Sequence, residues 1–360
     1  MKKVFFTPGP SQLYPTVQKH IKEALAHDIT SISHRSTEFQ EIYKTASNNL
    51  RKLLKIPADY HIFYLSSGTE AMERVIQNCV EKKSFHVADG AFSDSFQKIA
   101  SDLGKKAELV RVRDGAYIDC LKINVPKDAE LICLTQNETS TGVVLPSSCI
   151  RHVRQAYAKT LIALDIVSSA PDPVIDFKNV DCIFFSTQKG FGLPAGLGVL
   201  IVSPNAVRKS KLIKNKHISV GSYHTFERLV QYEEKFQTPE TPNVLDLYLL
   251  SKVSGDMLKK SIKTIRADTH TKAVFLYDLF ERHNRFKLFA EKHMRSETVV
   301  VVEVLGGSGS LIRYLASRGF IVGSGYGEYK DKHMRIANFP AHTMAHMKRL
   351  AREIKQFCEN

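Results

Sequence analysis

Short apolar runs alternate with longer amphipathic stretches along the first two thirds of the chain. The runs end at polar or small residues, which is typical of strands buried on both faces of a sheet. They lie at residues 60–65, 85–88, 109–112, 131–135, 160–165, 182–185 and 198–202. Between them, apolar residues recur at helical spacing, as at residues 17–27 and 38–55. The alternation predicts an α/β protein.

A proline-bounded connection at residues 238–243 separates this region from a second set of elements. It precedes a long helix with one apolar stripe, formed by Leu245, Leu249, Val253 and Met257. Further on, the pattern predicts a helix at 270–283, a strand at 298–304, a helix at 310–318, a strand at 334–337 and a helix at 342–357. We assign residues 1–15 to an N-terminal segment, 16–245 to a large domain and 246–360 to a small α/β domain. A chain of 360 residues is long enough for two domains.

One lysine stands where an apolar run stops. The run at residues 182–185 is followed by Ser-Thr-Gln, then Lys189, then Gly-Phe-Gly-Leu-Pro-Ala-Gly-Leu-Gly. Glycine and proline at this density suit neither a helix nor a paired strand, so the chain turns around the amine. A buried strand delivers such a residue to the carboxyl edge of the sheet, where α/β proteins bind ligands. A partly desolvated amine loses its charge easily, and a neutral lysine reacts with aldehydes.

A carboxylate, Asp165, ends the preceding run at residues 160–165. If the two runs form adjacent parallel strands, Asp165 and Lys189 lie at the same sheet edge. Pyridoxal phosphate needs such a pair, because its aldehyde joins a lysine and a carboxylate keeps its ring nitrogen protonated. From the residues alone, a solvent-facing loop for Lys189 and a helix cap for Asp165 remain alternatives.

Five segments resemble the class V aminotransferases of pyridoxal-phosphate fold type I, and they occur in the same order as in that family. They are FFTPGP from Phe5, SHRSTEF from Ser33, NETSTGV from Asn137, DIVSSAP from Asp165 and STQKGFGLPAGLG from Ser186. The resemblance spans nearly the whole chain. It implies a large domain with a mostly parallel sheet, a smaller C-terminal α/β domain, pyridoxal 5'-phosphate as the cofactor and a homodimer with shared active sites.

The resemblance implies roles for residues around the cofactor ring. Lys189 would be the catalytic lysine, and Asp165 would face the ring nitrogen. Phe92 is similar to the residue that stacks on the ring, although its alternative role is that of a core aromatic. The hydroxyl of Thr139 would donate to the phenolic oxygen of the cofactor.

A second group of residues is expected at the cofactor phosphate. Gly68 and Thr69 lie where a strand turns into a helix, and the free N–H groups and dipole of a helix start attract anions. Such turns are also common without a ligand. By resemblance, Gln188 and Ser168 lie near the phosphate and the turn after Asp165, and Thr241 reaches across a dimer interface to the partner's cofactor phosphate.

Three residues are expected to bind the substrate. Arg335 lies in the apolar strand MRIAN, where a buried guanidinium needs an anion, and the resemblance makes that anion the substrate carboxylate. His34 and Arg35 lie on a polar loop. By resemblance they border the substrate pocket and bind a substrate phosphate, which suits the geometry of arginine. The alternative is a loop held by local hydrogen bonds.

The reaction expected is transamination, with Lys189 moving a proton after a carboxylate clamp has oriented the substrate. SHRSTEF, NETSTG and MRIANFP look like phosphoserine aminotransferase. However, Thr69 stands where those enzymes usually carry a second phosphate-binding arginine, and GYGEYK at residues 325–330 resembles alanine or serine glyoxylate aminotransferases. A cysteine desulfurase is disfavoured, because no cysteine lies between Cys182 and Cys358. A catalytically silent binding protein of the same fold is the alternative outside enzymes.

Composition excludes some classes of protein and leaves others. The formal charge of +14 is spread over helix faces without interleaved aromatic residues, so we expect no nucleic-acid partner. No signal peptide or membrane span is indicated, which favours a cytoplasmic protein with small-molecule amino acid and 2-oxo acid substrates. The six cysteines are scattered in mostly apolar surroundings and are expected to be reduced thiols. His342 and His346 lie one helical turn apart without a third ligand, so we expect no metal site.

Overall fold

The computed structural model describes residues 3–116 and 118–359. Its strands are β1 (Val4–Phe6), β2 (His61–Leu65), β3 (Lys83–Ala88), β4 (Lys106–Arg111), β5 (Leu131–Thr135), β6 (Asn137–Glu138), β7 (Val143–Val144), β8 (Leu161–Asp165), β9 (Cys182–Ser186), β10 (Gly198–Val202), β11 (Phe286–Leu288), β12 (Val299–Val304), β13 (Phe320–Ser324) and β14 (His333–Ala337). Its helices are α1 (Val17–Ala26), α2 (Thr37–Leu54), α3 (Gly68–Cys79), α4 (Ala91–Asp102), α5 (Ser147–Ala156), α6 (Pro204–Asn215), α7 (Phe226–Glu233), α8 (Val244–Lys260), α9 (Ile262–Glu281), α10 (Gly309–Ser317) and α11 (Met344–Glu359). Every strand that the apolar runs predict in residues 60–202 is present.

A seven-stranded sheet forms the centre of the large domain, in the order β2-β10-β9-β8-β5-β3-β4. All neighbours are parallel except β10, which is antiparallel to both β2 and β9. The predicted α/β fold with a mostly parallel sheet is confirmed. Parallel strands end at the same edge, so β5, β8 and β9 place the residues that follow them side by side.

The large sheet is apolar on both faces because helices cover both. In β9, Ile183 and Phe185 face the core that holds α2 and α8, whereas Cys182 and Phe184 face the core that holds α3, α4, α6 and α7. This explains why the strands are continuous apolar runs without alternation. Helix starts agree with the sequence as well: Ser36 caps α2 and Asn243 caps α8, each through its side chain.

The small domain is built on a second sheet, in the order β1-β13-β14-β12-β11. Helices α9, α10 and α11 pack on it around Phe280, Leu315 and Leu350. Its N-terminal strand β1 runs parallel to β13, so residues 4–6 belong to this sheet although they open the chain. The structure adds β1, β11 and β13 to the two strands predicted for this domain from sequence. The outer ends of the predicted segments, residues 1–2 and 360, lie outside the described residues.

Two cysteines differ from the expectation of reduced thiols. The structure joins Cys120 and Cys149 in a disulfide, with 5.4 Å between their Cα atoms. These residues meet because a short helix at Cys120–Lys122 packs on α5. Three of the other cysteines, Cys79, Cys133 and Cys182, are buried and free, as expected.

The described helices also bear on the membrane question. Among them, none combines the length and the apolar character that crossing a bilayer requires.

Candidate active site

Lys189 and Asp165 lie at one edge of the large sheet. Strands β8 and β9 are parallel neighbours, Asp165 is the last residue of β8, and Lys189 comes three residues after the end of β9. Both side chains are nearly inaccessible, with 3% of Asp165 and 5% of Lys189 exposed. They line one cavity of about 520 Å³ between the two domains. The solvent-facing alternative for Lys189 is therefore excluded by its burial.

The N-terminal segment holds the lysine side chain from the other side. The Ser11 N–H donates to the carbonyl of Gln188, at 3.1 Å. Gly9 adopts a φ of +118°, and a Cβ atom there would lie 2.7 Å from Cε of Lys189. Only glycine suits both that backbone conformation and this close approach. The glycine of the sequence FFTPGP thus leaves the space through which the side chain of Lys189 reaches the cavity.

Two predicted cofactor residues lie against the amine. Nζ of Lys189 donates to Oγ1 of Thr139 at 3.0 Å and lies 4.9 Å from the ring centroid of Phe92. Thr139 follows β6 and Phe92 is in the first turn of α4. Phe92 is half-buried and its ring faces the cavity, so it is not a plain core aromatic.

Burial and neighbouring charges set the protonation of the pair. Burial lowers the pKa of Lys189 to about 8, although the carboxylates of Asp165 and Glu138 oppose this. Burial also raises the pKa of Asp165 to about 7, against the hydrogen bond from Val167 N–H and the charge of Lys189. The amine therefore gives up its proton more readily than an exposed lysine does.

The start of α3 forms an anion cradle at the other end of the cavity. The Gly68 N–H donates to Oγ of Ser186 at 2.7 Å, and a Cβ atom on Gly68 would lie 2.7 Å from that oxygen. Ser67 caps the helix by accepting from Glu70 N–H. The Thr69 N–H makes no hydrogen bond to another residue of the described ranges, and Thr69 and Gln188 both line the cavity. Free N–H groups at a helix start suit a phosphate.

Arg335 enters the cavity from the small domain. Its Nε donates to the carbonyl of Ser324 at 2.6 Å and one terminal nitrogen donates to the carbonyl of Thr139 at 3.3 Å. The ring of Tyr326 lies 5.0 Å from the guanidinium carbon, and it also contacts Phe92, with ring centroids 5.4 Å apart. Within the described residues no carboxylate forms an ion pair with Arg335, so its charge is available for an anion, as the sequence predicts.

Four predicted site residues do not line this cavity. Ser168 is buried behind it, where its hydroxyl bonds to Asn137. Thr241 is exposed on the loop before α8. His34 and Arg35 lie near that loop: Arg35 donates to Oε1 of Gln237 at 3.0 Å and to the carbonyl of Thr238 at 2.7 Å. The predicted roles of Thr241 at a partner's cofactor phosphate and of His34 and Arg35 at the substrate stay predictions.

Comparison with known proteins agrees with this geometry. The family model described as aminotransferase class-V matches residues 3–335. The chain belongs to the class-V aminotransferases. The predicted family and the prediction of a pyridoxal-phosphate-dependent transaminase are thereby confirmed, whereas the roles of individual residues stay predictions.

Individual relatives have been solved or named. The crystal structure of a phosphoserine aminotransferase from Cytophaga hutchinsonii ATCC 33406 is 45% identical, superposes with a TM-score of 0.96 and covers 98% of each chain. A phosphoserine aminotransferase of Corynebacterium glutamicum (strain R) is 27% identical over 344 residues, which are 93% of this chain and 89% of that protein. An alanine–glyoxylate aminotransferase from Nostoc sp., 20% identical with a TM-score of 0.84 over 99% of this chain and 96% of that one, shows the same fold.

One residue of this class-V site was missed in the sequence. Glu138 is fully buried, and its carboxylate accepts from the N–H groups of Phe92 (3.1 Å) and Ser93 (2.9 Å) in the first turn of α4 and from that of Ser140 (3.0 Å). It thus ties the helix that carries Phe92 to the turn that carries Thr139. A signal was present: Gly90, the residue before α4, has no side chain to cap the helix, so an outside acceptor is needed.

We expect Glu138→Gln to weaken cofactor binding about tenfold or more. The glutamine amide group would point N–H donors at N–H donors, and an unsatisfied buried group costs about 1–3 kcal/mol. Phe92 and Thr139 would then lose their common anchor. Titration of the apoenzyme with pyridoxal phosphate, followed by visible absorbance, measures the Kd. Ser140→Ala is the control that keeps the charge, because it removes the hydroxyl that donates to Glu138 and accepts from Ala91 N–H but leaves the carboxylate in place. Equal Kd values for Glu138→Gln and the wild type would contradict the assignment.

Proposed function

We propose that the protein is a pyridoxal-phosphate-dependent phosphoserine:2-oxoglutarate aminotransferase. The observation that carries the proposal is the buried pair of Lys189 and Asp165 at the ends of neighbouring strands, in a cavity that also holds Arg335, which forms no ion pair with a described carboxylate. The relatives from Cytophaga hutchinsonii and Corynebacterium glutamicum, both named phosphoserine aminotransferases and aligned over most of the chain, support the choice of substrate.

The donor set of the cavity fits pyridoxal phosphate. The N–H of Thr69 at the start of α3 and the side chains of Thr69 and Gln188 suit its phosphate, and both residues line the cavity. When bound, the cofactor supplies an aldehyde and an electron-accepting ring. Asp165 would hold a proton on the ring nitrogen, Phe92 would cover one face, and Thr139 would donate to the phenolic oxygen.

Arg335 and Lys189 would act on the substrate. The guanidinium is held by Ser324, Thr139 and the ring of Tyr326, so it presents its remaining N–H groups in a set orientation to the α-carboxylate. This fixes the α-carbon near Nζ of Lys189. The lowered pKa of Lys189 makes the neutral amine available as a base that can take the α-proton of the substrate and hold it on Nζ.

The substrate phosphate needs a cation that this subunit does not place in its own cavity. Among the described residues, the charged side chains that line the cavity are Asp165, Lys189 and Arg335, and each already has a role. His34 and Arg35 are the predicted phosphate ligands, and they lie beside the loop that carries the exposed Thr241. We therefore assign them to the cavity of the partner in a homodimer.

Hybrid dimers test this sharing. Lys189→Ala and Arg35→Ala homodimers should both be weakly active with phosphoserine. For Arg35→Ala the activity should fall about 10–100-fold, because each charge-assisted hydrogen bond contributes about 1.5–3 kcal/mol. In a hybrid of the two, one site combines Lys189 of one subunit with Arg35 of the other. Activity should return to about half of the wild-type value per hybrid dimer. No recovery on mixing would place Arg35 in its own subunit's site.

The choice of substrate is tested by single turnover. We expect phosphoserine to discharge the visible absorbance band of the cofactor at least tenfold faster than serine or alanine at equal concentration. The alternative is an alanine or serine glyoxylate aminotransferase, which is favoured by Thr69 and by Tyr326 of the 325–330 segment at the cavity. Discharge by serine or alanine but not by phosphoserine would establish that alternative. Absence of a visible band after addition of pyridoxal phosphate would favour a silent binding protein.

A further inference from the structure

We propose that His224 is a positioning residue, an imidazolium that ties the helix start binding the cofactor phosphate to the loop that carries Thr241. The inference rests on the proposed function and on its shared dimer. In that dimer the side chain of His224 would connect the cofactor site of its own subunit with the cofactor site of the partner.

Both ring nitrogens of His224 face carboxylate oxygens. Nδ1 lies 2.6 Å from Oε1 of Glu70, and Nε2 lies 2.8 Å from Oε2 of Glu240. An ionised carboxylate only accepts hydrogen bonds, so each nitrogen must donate, and only the protonated imidazole carries a proton on both. The residue is 2% exposed, which shields the two bonds from water.

Glu70 connects this bridge to the phosphate cradle. It is the third residue of α3, directly after Gly68 and Thr69. Its second carboxylate oxygen accepts from the N–H and the hydroxyl of Ser66, at 2.8 and 2.7 Å. A shift of Glu70 would therefore move the start of α3, including the Thr69 N–H that would face the cofactor phosphate under the proposed function.

Glu240 connects the His224 imidazole to the loop at residues 237–243, which carries Thr241. It precedes Thr241, and its carbonyl accepts from the hydroxyl of Thr238 at 2.7 Å. Arg35 holds the same loop from its other end through Gln237 and Thr238. The loop is thus fixed at two points, and His224 is the point that leads to the subunit's own phosphate cradle.

Because His224 must be protonated to donate to both carboxylates, the strength of its two hydrogen bonds depends on pH. Burial acts to lower the pKa of His224, but the hydrogen bonds and charges of Glu240 and Glu70 outweigh it and leave the pKa raised. Burial likewise opposes the bonds from His224 and Ser66 that bring the pKa of Glu70 to about 2. The ring of Tyr223 also lies beside the imidazole, with the two ring centroids 4.1 Å apart. A histidine whose pKa is higher in the folded than in the unfolded protein stabilises the folded state fully below its unfolded pKa of about 6.5. This stabilisation is lost as the pH rises through the folded pKa.

His224→Gln tests the bridge, and His61→Gln is its matched control. His61 also contacts a carboxylate, Oε2 of Glu233 at 2.6 Å, but it lies at the opposite end of β2 from the α3 start. Titration of apoenzyme with pyridoxal phosphate should show a Kd about tenfold higher for His224→Gln and within twofold of wild type for His61→Gln. The wild-type Kd should rise between pH 6.5 and 9 more steeply than that of His224→Gln.

Other outcomes overturn the inference in distinct ways. An unchanged Kd and pH profile in a folded His224→Gln protein shows that the bridge does not position the cradle, and equal losses in both variants show a general effect on stability. If His224→Gln does not fold, Glu240→Gln breaks only the outer bond and should raise the Kd about threefold; no change would overturn the proposal. Failure of the wild type itself to bind pyridoxal phosphate would instead refute the proposed function.

Discussion

Replacing Lys189 with alanine should lower kcat/KM by about 10³–10⁴-fold, because a positioned proton carrier contributes about 10²–10⁴ and the same amine anchors the cofactor. The side chain bonds only to Thr139 among the described polar groups and carries no ion pair, so its truncation leaves the fold intact. A thermal unfolding scan of the apoenzyme checks this point. Turnover with phosphoserine and 2-oxoglutarate measures the effect.

Lys189→Arg separates the two explanations of such a loss. Arginine keeps a positive charge in the cavity but stays protonated at every relevant pH, so it is neither a nucleophile nor a base. We expect this variant to be as inactive as the alanine variant. Recovery of more than a tenth of the wild-type activity in Lys189→Arg would mean that the lysine contributes charge alone, and the proposed mechanism would be wrong.

The elements that position this lysine were readable from the sequence because they depend on local pattern. Strands buried on both faces need continuous apolar runs, so β8 and β9 and the residues after them could be assigned without knowledge of their neighbours. Arg335 was identified for a related reason: a guanidinium in an apolar strand has few structural explanations.

The features that were missed depend on contacts between distant segments. Strand β1 has three residues, and only its pairing with β13 shows that it belongs to the small domain. In the sequence Glu138 and His224 are ordinary polar residues, because only the fold brings α4 to Glu138 and brings α3 and the loop that carries Thr241 to His224. The disulfide of Cys120 and Cys149 likewise depends on how a short helix packs on α5.

His34 and Arg35 illustrate a limit of the resemblance. It assigned them to a substrate phosphate, whereas the structure shows Arg35 bonded to the loop at 237–239 and absent from the residues that line its own subunit's cavity. Both statements are compatible in the proposed homodimer, in which the loop and the two residues would face a second subunit. The hybrid-dimer experiment therefore tests the assembly and the substrate site at once.

Asp165→Asn should lower kcat by about 100-fold or more while leaving the fold unchanged. The amide keeps the size of the side chain and its oxygen can still accept from Val167 N–H, but it cannot hold a proton on the cofactor ring by charge. The effect should appear in kcat more than in KM, because Arg335 and the phosphate ligands are untouched. Steady-state kinetics with both substrates measures the split.

The same variant has a signature that does not depend on turnover. Asp165 raises the pKa of Lys189, so removal of its charge lowers that pKa further below the present value of about 8. The rate at which apoenzyme captures pyridoxal phosphate should follow the neutral amine, and its midpoint should move to lower pH in Asp165→Asn. Ser186→Ala, which alters the phosphate cradle and no charge, should leave the midpoint in place. The two charges influence each other only if both side chains lie at the buried edge of the sheet. If the pH midpoint of the capture rate stays in place or rises in Asp165→Asn, the carboxylate and the amine do not interact.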